Sequence, residues 1–312
     1  MKVLIIGGAG FIGGALSTVL IAKGCQCDIF DKGLFGVDEQ YEQCSVDEDC
    51  LNSDNIKKYD CVVWACDCDT KSFFDSNGEV YDCAVRYAEE NLKLFANVAE
   101  LSKRMISLIP DIDFVEDGNY RTFIVKKQNL AFNKKVELVY VNEVFGTSPR
   151  MRFDTLINGM VYNAIIYDVM YVEKPMSVLP AIALNRLLEA IVVKIESGSI
   201  EDLKLASFIF NQAGYASLIK TKFSKTMVNF KTVQILFSEE DSNISNCNRI
   251  HGNALKNYTM TGSSEVDFMN YVRNILASVN AGLMVMKDTY NNEKIYTNFI
   301  NYKNIHKLML GD

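Results

Sequence analysis

Histidine, proline and cationic excess are all scarce in this chain, and each scarcity closes a class of function. Only two histidines, His251 and His306, occur in 312 residues. Neither has paired ligand spacing, so a solvated or hydrogen-bonded imidazole is expected at each rather than a metal ligand. Four prolines and no Gly/Ser-rich tract leave no flexible linker, and no internal repeat is visible. A formal net charge of −7 supplies no electrostatic footprint for nucleic acid, and no basic amphipathic stretch marks a membrane surface. Beyond residue 22 no apolar run is long enough to span a bilayer. What is present is 49% hydrophobic residues, enough to build a core for one large α/β domain with a smaller appendage, or for two domains.

Nine cysteines, eight of them before residue 84, raise the question of a disulfide framework or a metal site. Cys25-Gln26-Cys27 and Cys66-Asp67-Cys68 lack the C-x2-C spacing of zinc ribbons. An odd count without a secretory signal points to a reducing, cytoplasmic compartment. On strands that flank a common neighbour the two pairs would lie about 10 Å apart, too far for one ion to bridge. Small buried sheet residues are the expected role.

The first 31 residues carry the strongest pattern. An apolar run, Val3 to Ile6, leads into Gly7-Gly8-Ala9-Gly10-Phe11-Ile12-Gly13-Gly14, then a helix-like stretch to Lys23 and a second strand closing on Asp31. Residues 3 to 22 contain no charge, which also resembles a signal peptide or membrane span. Five glycines oppose that reading, since each costs a helix about 0.8 to 1 kcal/mol relative to alanine. Strand, glycine turn, helix and acid instead form a dinucleotide site. The turn needs positive φ, the backbone must approach a pyrophosphate, and the helix must pack tightly on its strand. The helix opening near Phe11 offers its N–H groups and positive dipole end to phosphates. Asp31 stands close to the ~20-residue spacing at which a carboxylate accepts the adenosine ribose hydroxyls. Its charge would repel a 2′-phosphate, so NAD is expected over NADP, with Lys32 as the residue that could blur the choice.

Periodicity predicts alternating strands and helices to about residue 240, the pattern of a parallel sheet with crossover helices. Strands are expected at Lys2 to Ile6, Cys25 to Phe30, Cys61 to Cys66, Met105 to Ile109 and Val136 to Val141. Helices are expected over Glu79 to Ser102 and from Tyr120 to about Phe132. After Gly146 the expectation is a helix near Asp154 to Tyr167, a strand at Val169 to Val172, a helix over Leu184 to Glu196, and strands at Ser207 to Phe210 and Val233 to Phe237. Ala281 to Leu310 reads as a late hairpin followed by a short helix. Trp64, inside an apolar strand, is expected in the core.

The order of these motifs resembles the extended short-chain dehydrogenase/reductases, in particular the NAD-dependent nucleotide-sugar epimerases and dehydratases. Residues 7 to 13 match that family's G-x-x-G-x-x-G turn, and Asp60 to Cys66 looks like its fourth strand. Val144-Phe145-Gly146-Thr147-Ser148-Pro149-Arg150-Met151-Arg152-Phe153-Asp154 is similar to its V-Y-G-P-x-x-R-x-R-x-D segment, with Asn158 following where many members carry asparagine. The resemblance is good over residues 1 to 165 and faint afterwards. It implies a Rossmann-type doubly wound α/β sheet over 1–165, with later strands returning to it, and a smaller C-terminal substrate region over 166–312. It also implies NAD held by Gly7, Gly10, Phe11, Ile12, Gly13, Asp31, Lys32, Ala65 and Cys66, and a nucleotide sugar met by Arg152, Asp154 and Asn158. A homodimer through the helices at 79–102 and after Tyr120 is implied as well. For Arg152 and Asp154 an internal salt bridge is the competing reading; for Asn158 it is a helix-surface position.

Activity in that family depends on Tyr-x-x-x-Lys on one helical face plus a Ser or Thr after the preceding strand. A tyrosine with a pKa near 10 becomes a base at neutral pH only beside a cation that favours the phenolate. The best match for the tyrosine is Tyr120, but Ile124 stands at the lysine position. Ile109-Pro110-Asp111 replaces the hydroxyl turn, and Ser107 is too early. Lys126 and Lys127 lie about two helical turns beyond Tyr120, too far to reach the same ribose. Positions that carry arginine and asparagine before the V-Y-G segment hold Tyr140 and Glu143. Three readings follow. The first is a nucleotide-sugar oxidoreductase or epimerase in which Tyr120 acts alone or Asp111, Glu116 or Asp117 substitutes. The second is a pseudoenzyme whose dinucleotide occupancy governs assembly or a partner. The third is a structural subunit that binds no nucleotide.

Overall fold

A computed structural model describes residues 1–31, 51–66, 79–115, 118–226, 233–237, 255–262 and 264–281. The first half alternates β1 (Lys2–Ile6), α1 (Phe11–Ala22), β2 (Gln26–Phe30), the short α2 (Ser53–Ile56), β3 (Cys61–Trp64), α3 (Glu79–Leu101), β4 (Met105–Ile109), α4 (Asn119–Asn133) and β5 (Glu137–Tyr140). The second half holds β6 (Glu143–Phe145), α5 (Leu156–Tyr167), β7 (Val169–Val172), β8 (Val178–Ala183), α6 (Leu184–Ser197), β9 (Leu203–Ala206), β10 (Phe208–Asn211), α7 (Gln212–Thr226), β11 (Gln234–Phe237), β12 (Thr259–Met260) and α8 (Ser264–Asn280).

Seven parallel strands form the central sheet in the order β12-β9-β5-β4-β3-β1-β2. All four residues of β3 and all five of β4 are buried. Such continuous burial belongs to parallel strands covered by helices on both faces. One face gathers Val3, Ile5, Leu16, Leu20, Ile106, Leu108, Leu187 and Ile191 beneath α1 and α6. The other gathers Leu4, Ile6, Val62, Trp64, Phe95, Val98, Ile109, Phe123 and Ile124 beneath α3 and α4. Trp64 is fully buried there and meets Phe95 edge-on at 5.1 Å. Val3 on β1 pairs with Cys27 on one side and Cys61 on the other. Burial pushes the Cys61 thiol up to about 12 and Cys27 to about 11, so both stay protonated and inert at neutral pH.

In the second half the strand expected at Ser207 to Phe210 is β10, one residue along, and β9 ends just before it on the other side of Ser207: β9 extends the central sheet whereas β10 joins a separate sheet ordered β10-β8-β6. Ser207 is buried at the crossing. Its N–H donates to Ala181 O, and its hydroxyl accepts from Ala183 N and meets the Thr261 hydroxyl at 2.8 Å. Strands β6, β8, β9 and β12 and helices α7 and α8 also lie where the periodicity signalled nothing definite. His251, His306, Lys32, Cys68, Glu116, Asp117 and the hairpin expected after Ala281 lie outside the described residues. No helix among the described residues is long and apolar enough to cross a membrane.

Candidate functional site

The chain leaves β1 into the glycine turn at the carboxyl end of the sheet. Gly7 has φ +82°, a conformation L side chains rarely adopt, and a Cβ there would lie 2.8 Å from the Ala65 carbonyl and the Cys66 nitrogen. Gly13 is pinned by space instead: its Cβ would stand 2.2 Å from Gly7 O. The turn closes on itself through Gly10 N–H to Gly7 O at 3.1 Å and is tied to β2 by Gly7 N–H to Phe30 O at 2.8 Å. The N-cap of α1 is Gly10, which has no side chain to cap the helix. Phe11, Ile12 and Gly13 therefore open α1 as an anion-receptive terminus.

Asp31, just past β2, accepts the Ala9 N–H at 3.0 Å through Oδ2. The carboxylate thus has a structural task as well as its expected cofactor task, since it fastens the turn to the neighbouring strand. Ala65 continues β3 by donating its N–H to Ile6 O, and Cys66 follows at the sheet's mouth. A residue that sequence reasoning missed sits against them. Asn91 on α3 is 7% exposed, its Nδ2 lies 3.9 Å from Cys66 Sγ, and its buried Oδ1 has no hydrogen-bond partner among the described residues. Such an orphaned acceptor is costly unless something donates to it. The signal was present: Asn91 interrupts the apolar stripe of Ala88, Phe95 and Val98 at helical spacing.

The residues expected to move protons are not assembled. Tyr120 is buried on the first turn of α4 in the same cluster as Phe123 and the fully buried Ile124. Lys126 is exposed, whereas Lys127 is fully buried with Nζ 5.3 Å and 5.7 Å from the Phe95 and Trp64 ring centroids. Ser107 is also fully buried, and its Oγ bonds Leu108 O. Asp111 is 1% exposed and tied up: Lys204 Nζ donates to Oδ2 at 2.6 Å, and the Tyr258 hydroxyl donates to the same oxygen at 3.0 Å. Asn142 completes that cluster by donating to the Tyr258 oxygen at 2.7 Å and accepting the Asp111 N–H. Burial and the nearby Asp111 charge hold the Tyr258 phenol far above its ordinary range, so it is no base. Tyr140, stacked under Lys204 at 4.4 Å, is pushed up to about 12, chiefly by burial.

The loop after β6 is also internally engaged. The Ser148 hydroxyl donates to Phe11 O at 2.6 Å, which links this loop to the glycine turn. Arg152 makes a two-pronged bond to Asp154, Nε to Oδ1 at 3.1 Å and Nη2 to Oδ2 at 2.8 Å. Asn158 is fully buried rather than on a helix surface. Its Oδ1 accepts from the Tyr271 hydroxyl at 2.7 Å and Gly146 N–H at 3.4 Å, and its Nδ2 donates to Val144 O. The helix-surface expectation fails because α8 packs over this face of α5 and brings Tyr271 with it. Glu143 is buried, and its Oε1 accepts the Ile157 N–H at 2.9 Å in the first turn of α5. Burial pushes its carboxyl up to about 7, against the lowering pull of that bond and of Arg152.

No family model matches this sequence, and no curated protein matches it. Solved structures do. The NAD-dependent NDP-hexosamine 5,6-dehydratase TunA of tunicamycin biosynthesis superposes with a TM-score of 0.67 at 13% identity, covering 90% of this chain and 98% of that one. The dTDP-glucose 4,6-dehydratase of Bacillus anthracis, in complex with NAD, gives 0.66 at 15% identity over 91% of this chain and 100% of its own. The UDP-N-acetylglucosamine 4-epimerase of Bacillus cereus gives 0.61 at 13% identity over 92% and 99%. The fold of this chain is therefore the one that NAD-dependent nucleotide-sugar dehydratases and epimerases share.

Proposed function

We propose that this chain binds NAD(H) and works as a dinucleotide-responsive scaffold, without the epimerase or dehydratase turnover of the proteins whose fold it shares. One contrast carries the reading. The glycine turn keeps both of its geometric requirements, at Gly7 and Gly13, while the position one turn after Tyr120 is the fully buried Ile124. The pyrophosphate would lie on the turn and the α1 terminus formed by Gly10, Phe11, Ile12 and Gly13. Asp31 would take the adenosine ribose, and Ala65, Cys66 and the Asn91 Oδ1, which has no partner among the described residues, would border the cofactor at the end of β3. Bound NAD would supply a hydride acceptor. Among the described residues, Ile124 holds the position one turn beyond Tyr120 and Asp111 is closed by Lys204 and Tyr258, which argues against either acting as the base. Without such a base, hydride transfer from an alcohol loses a factor of ~10² to 10⁴.

Arg152 and Asp154 belong to the same proposal as a pair that fixes the loop after β6, and Asn158 as the anchor of the Gly146 turn. A homodimer through α3 and α4 rests on the resemblance alone. The outward positions of α3 from Arg86 onward include Glu89, Glu90, Lys93 and Glu100, the composition of a solvated face. The deciding experiment incubates the full chain with NAD and a panel of nucleotide sugars and follows NADH absorbance and product composition. No turnover is expected. Turnover that Tyr120→Phe abolishes would establish a working enzyme and defeat the scaffold reading.

A further inference from the structure

The mouth of the sheet holds one sulfur in a setting unlike that of its neighbours. Cys27 and Cys61 sit on sheet strands, where burial keeps their thiols protonated. Cys66 is half-buried just past β3, and Asn91 Nδ2 donates to its Sγ at 3.9 Å. An N–H donor and a nearby cation both favour a thiolate over a thiol. The cation here is the fully buried Lys127. Its Nζ lies 5.7 Å from the centroid of the Trp64 ring, whose Nε1 in turn donates to Cys66 O. The other end of the Asn91 amide, Oδ1, is buried with no hydrogen-bond partner among the described residues. A sulfur that receives a donor and an acceptor that awaits one therefore share a corner, and a ligand that brings a donor to it would relieve the cost of the buried oxygen. The same corner backs onto the glycine turn, since a Cβ on Gly7 would lie 2.8 Å from Cys66 N.

We propose that Cys66 is a modification site: its sulfur exchanges with a small cysteinyl-peptide disulfide, and the mixed disulfide so formed closes the dinucleotide site beside the glycine turn. This deepens the scaffold reading and rests on it, since it adds the state of one thiol to dinucleotide occupancy as a second input. The exchange is balanced within itself. Cys66 Sγ gives its proton to solvent and attacks one sulfur of the incoming disulfide. The new S–S bond forms as the old one breaks, and the departing thiolate takes up a proton. Cys66 is oxidised, and the departing half is reduced. An amide N–H of the attached peptide supplies a donor for Asn91 Oδ1, and the body of the peptide takes up space next to Gly7. Occupancy and modification then exclude one another: bound NAD(H) shields Sγ, and a modified Sγ blocks NAD(H). A dithiol reverses the modification and reopens the site.

The test treats the full, cofactor-stripped chain with oxidised glutathione, alone and with saturating NADH, and locates the adducts by mass mapping of peptides. The adduct at Cys66 is expected to form at least tenfold faster than at Cys27 or Cys61, and NADH is expected to slow it at least tenfold. NADH affinity, read by fluorescence titration, should fall at least tenfold in the modified protein and return after dithiothreitol. In Cys66→Ala the same treatment should leave that variant's own NADH affinity as it was before treatment. Should Cys66→Ala fail to fold, protection by NADH and reversal by dithiothreitol in the wild type decide. No adduct at Cys66, an adduct rate that NADH does not alter, or an adduct that leaves NADH affinity unchanged overturns the proposal while the scaffold reading stands. Titration of the untreated chain with NADH comes first and separates the two. Absence of binding there defeats the scaffold reading and the switch with it.

Discussion

Replacing Glu143 by glutamine should stabilise the protein at pH 8 and leave it nearly unchanged at pH 5. Glu143 is buried with its carboxyl raised from 4.5 to about 7, mainly by loss of hydration. The folded state therefore keeps its proton over a pH range in which the unfolded chain has already released it. A raised carboxyl gives stability that is fully present below the unfolded value and lost as pH rises through the folded one. At 1.36 kcal/mol per pH unit, the loss between pH 4.5 and 7 is at most about 3 kcal/mol. Glutamine carries no charge to desolvate and can still accept the Ile157 N–H, so it escapes that loss. Urea unfolding of both proteins at pH 5, 6, 7 and 8 isolates the effect, because every other titrating group cancels in the difference. The variant should pull ahead progressively between pH 5 and 8. A stability difference that stays flat across that range would refute the account of Glu143 as a buried, titrating cap.

Three further outcomes follow from the geometry. Gly13→Ala forces a methyl to 2.2 Å from Gly7 O, so NADH binding should weaken at least 100-fold, read by fluorescence titration, with a lower melting temperature as the turn shifts. Lys204→Met leaves the 1%-exposed Asp111 carboxylate without its cation, and stability at neutral pH should fall by about 3 kcal/mol, measured by urea denaturation. Tyr258→Phe removes the neutral partner of that carboxylate together with the acceptor of Asn142 Nδ2, and should cost about 1 to 3 kcal/mol in the same assay.

The nucleotide half was legible because its demands are local and steric. Positive φ at Gly7 and zero side-chain volume at Gly13 leave a glycine pattern that needs no knowledge of the rest of the chain. The continuous apolar runs of β1, β3 and β4 announce a sheet buried on both faces in the same way. The second half hides because its strands are short and its partners distant. Strand β6 has three residues and β12 two, too few to display a period, and the break at Ser207 follows from two sheets competing for one segment. The polar clusters were hidden for the same reason. Asp111 meets Lys204 and Tyr258 across 93 and 147 residues, and Asn158 meets Tyr271 across 113. Asp31 is an instructive middle case. Its spacing revealed it, yet a carboxylate expected to serve only the cofactor also holds Ala9 N–H, so its presence alone does not separate binding from structure.

For that reason the most direct test of the central claim is titration of the purified, cofactor-stripped chain with NADH and NADPH, wild type beside Asp31→Ala. The account predicts saturable one-to-one binding of NADH, markedly weaker binding of NADPH, and a loss of NADH affinity in Asp31→Ala while the variant stays folded. Absence of saturable NADH binding to the folded wild-type protein would contradict it, and would leave the glycine turn as packing alone.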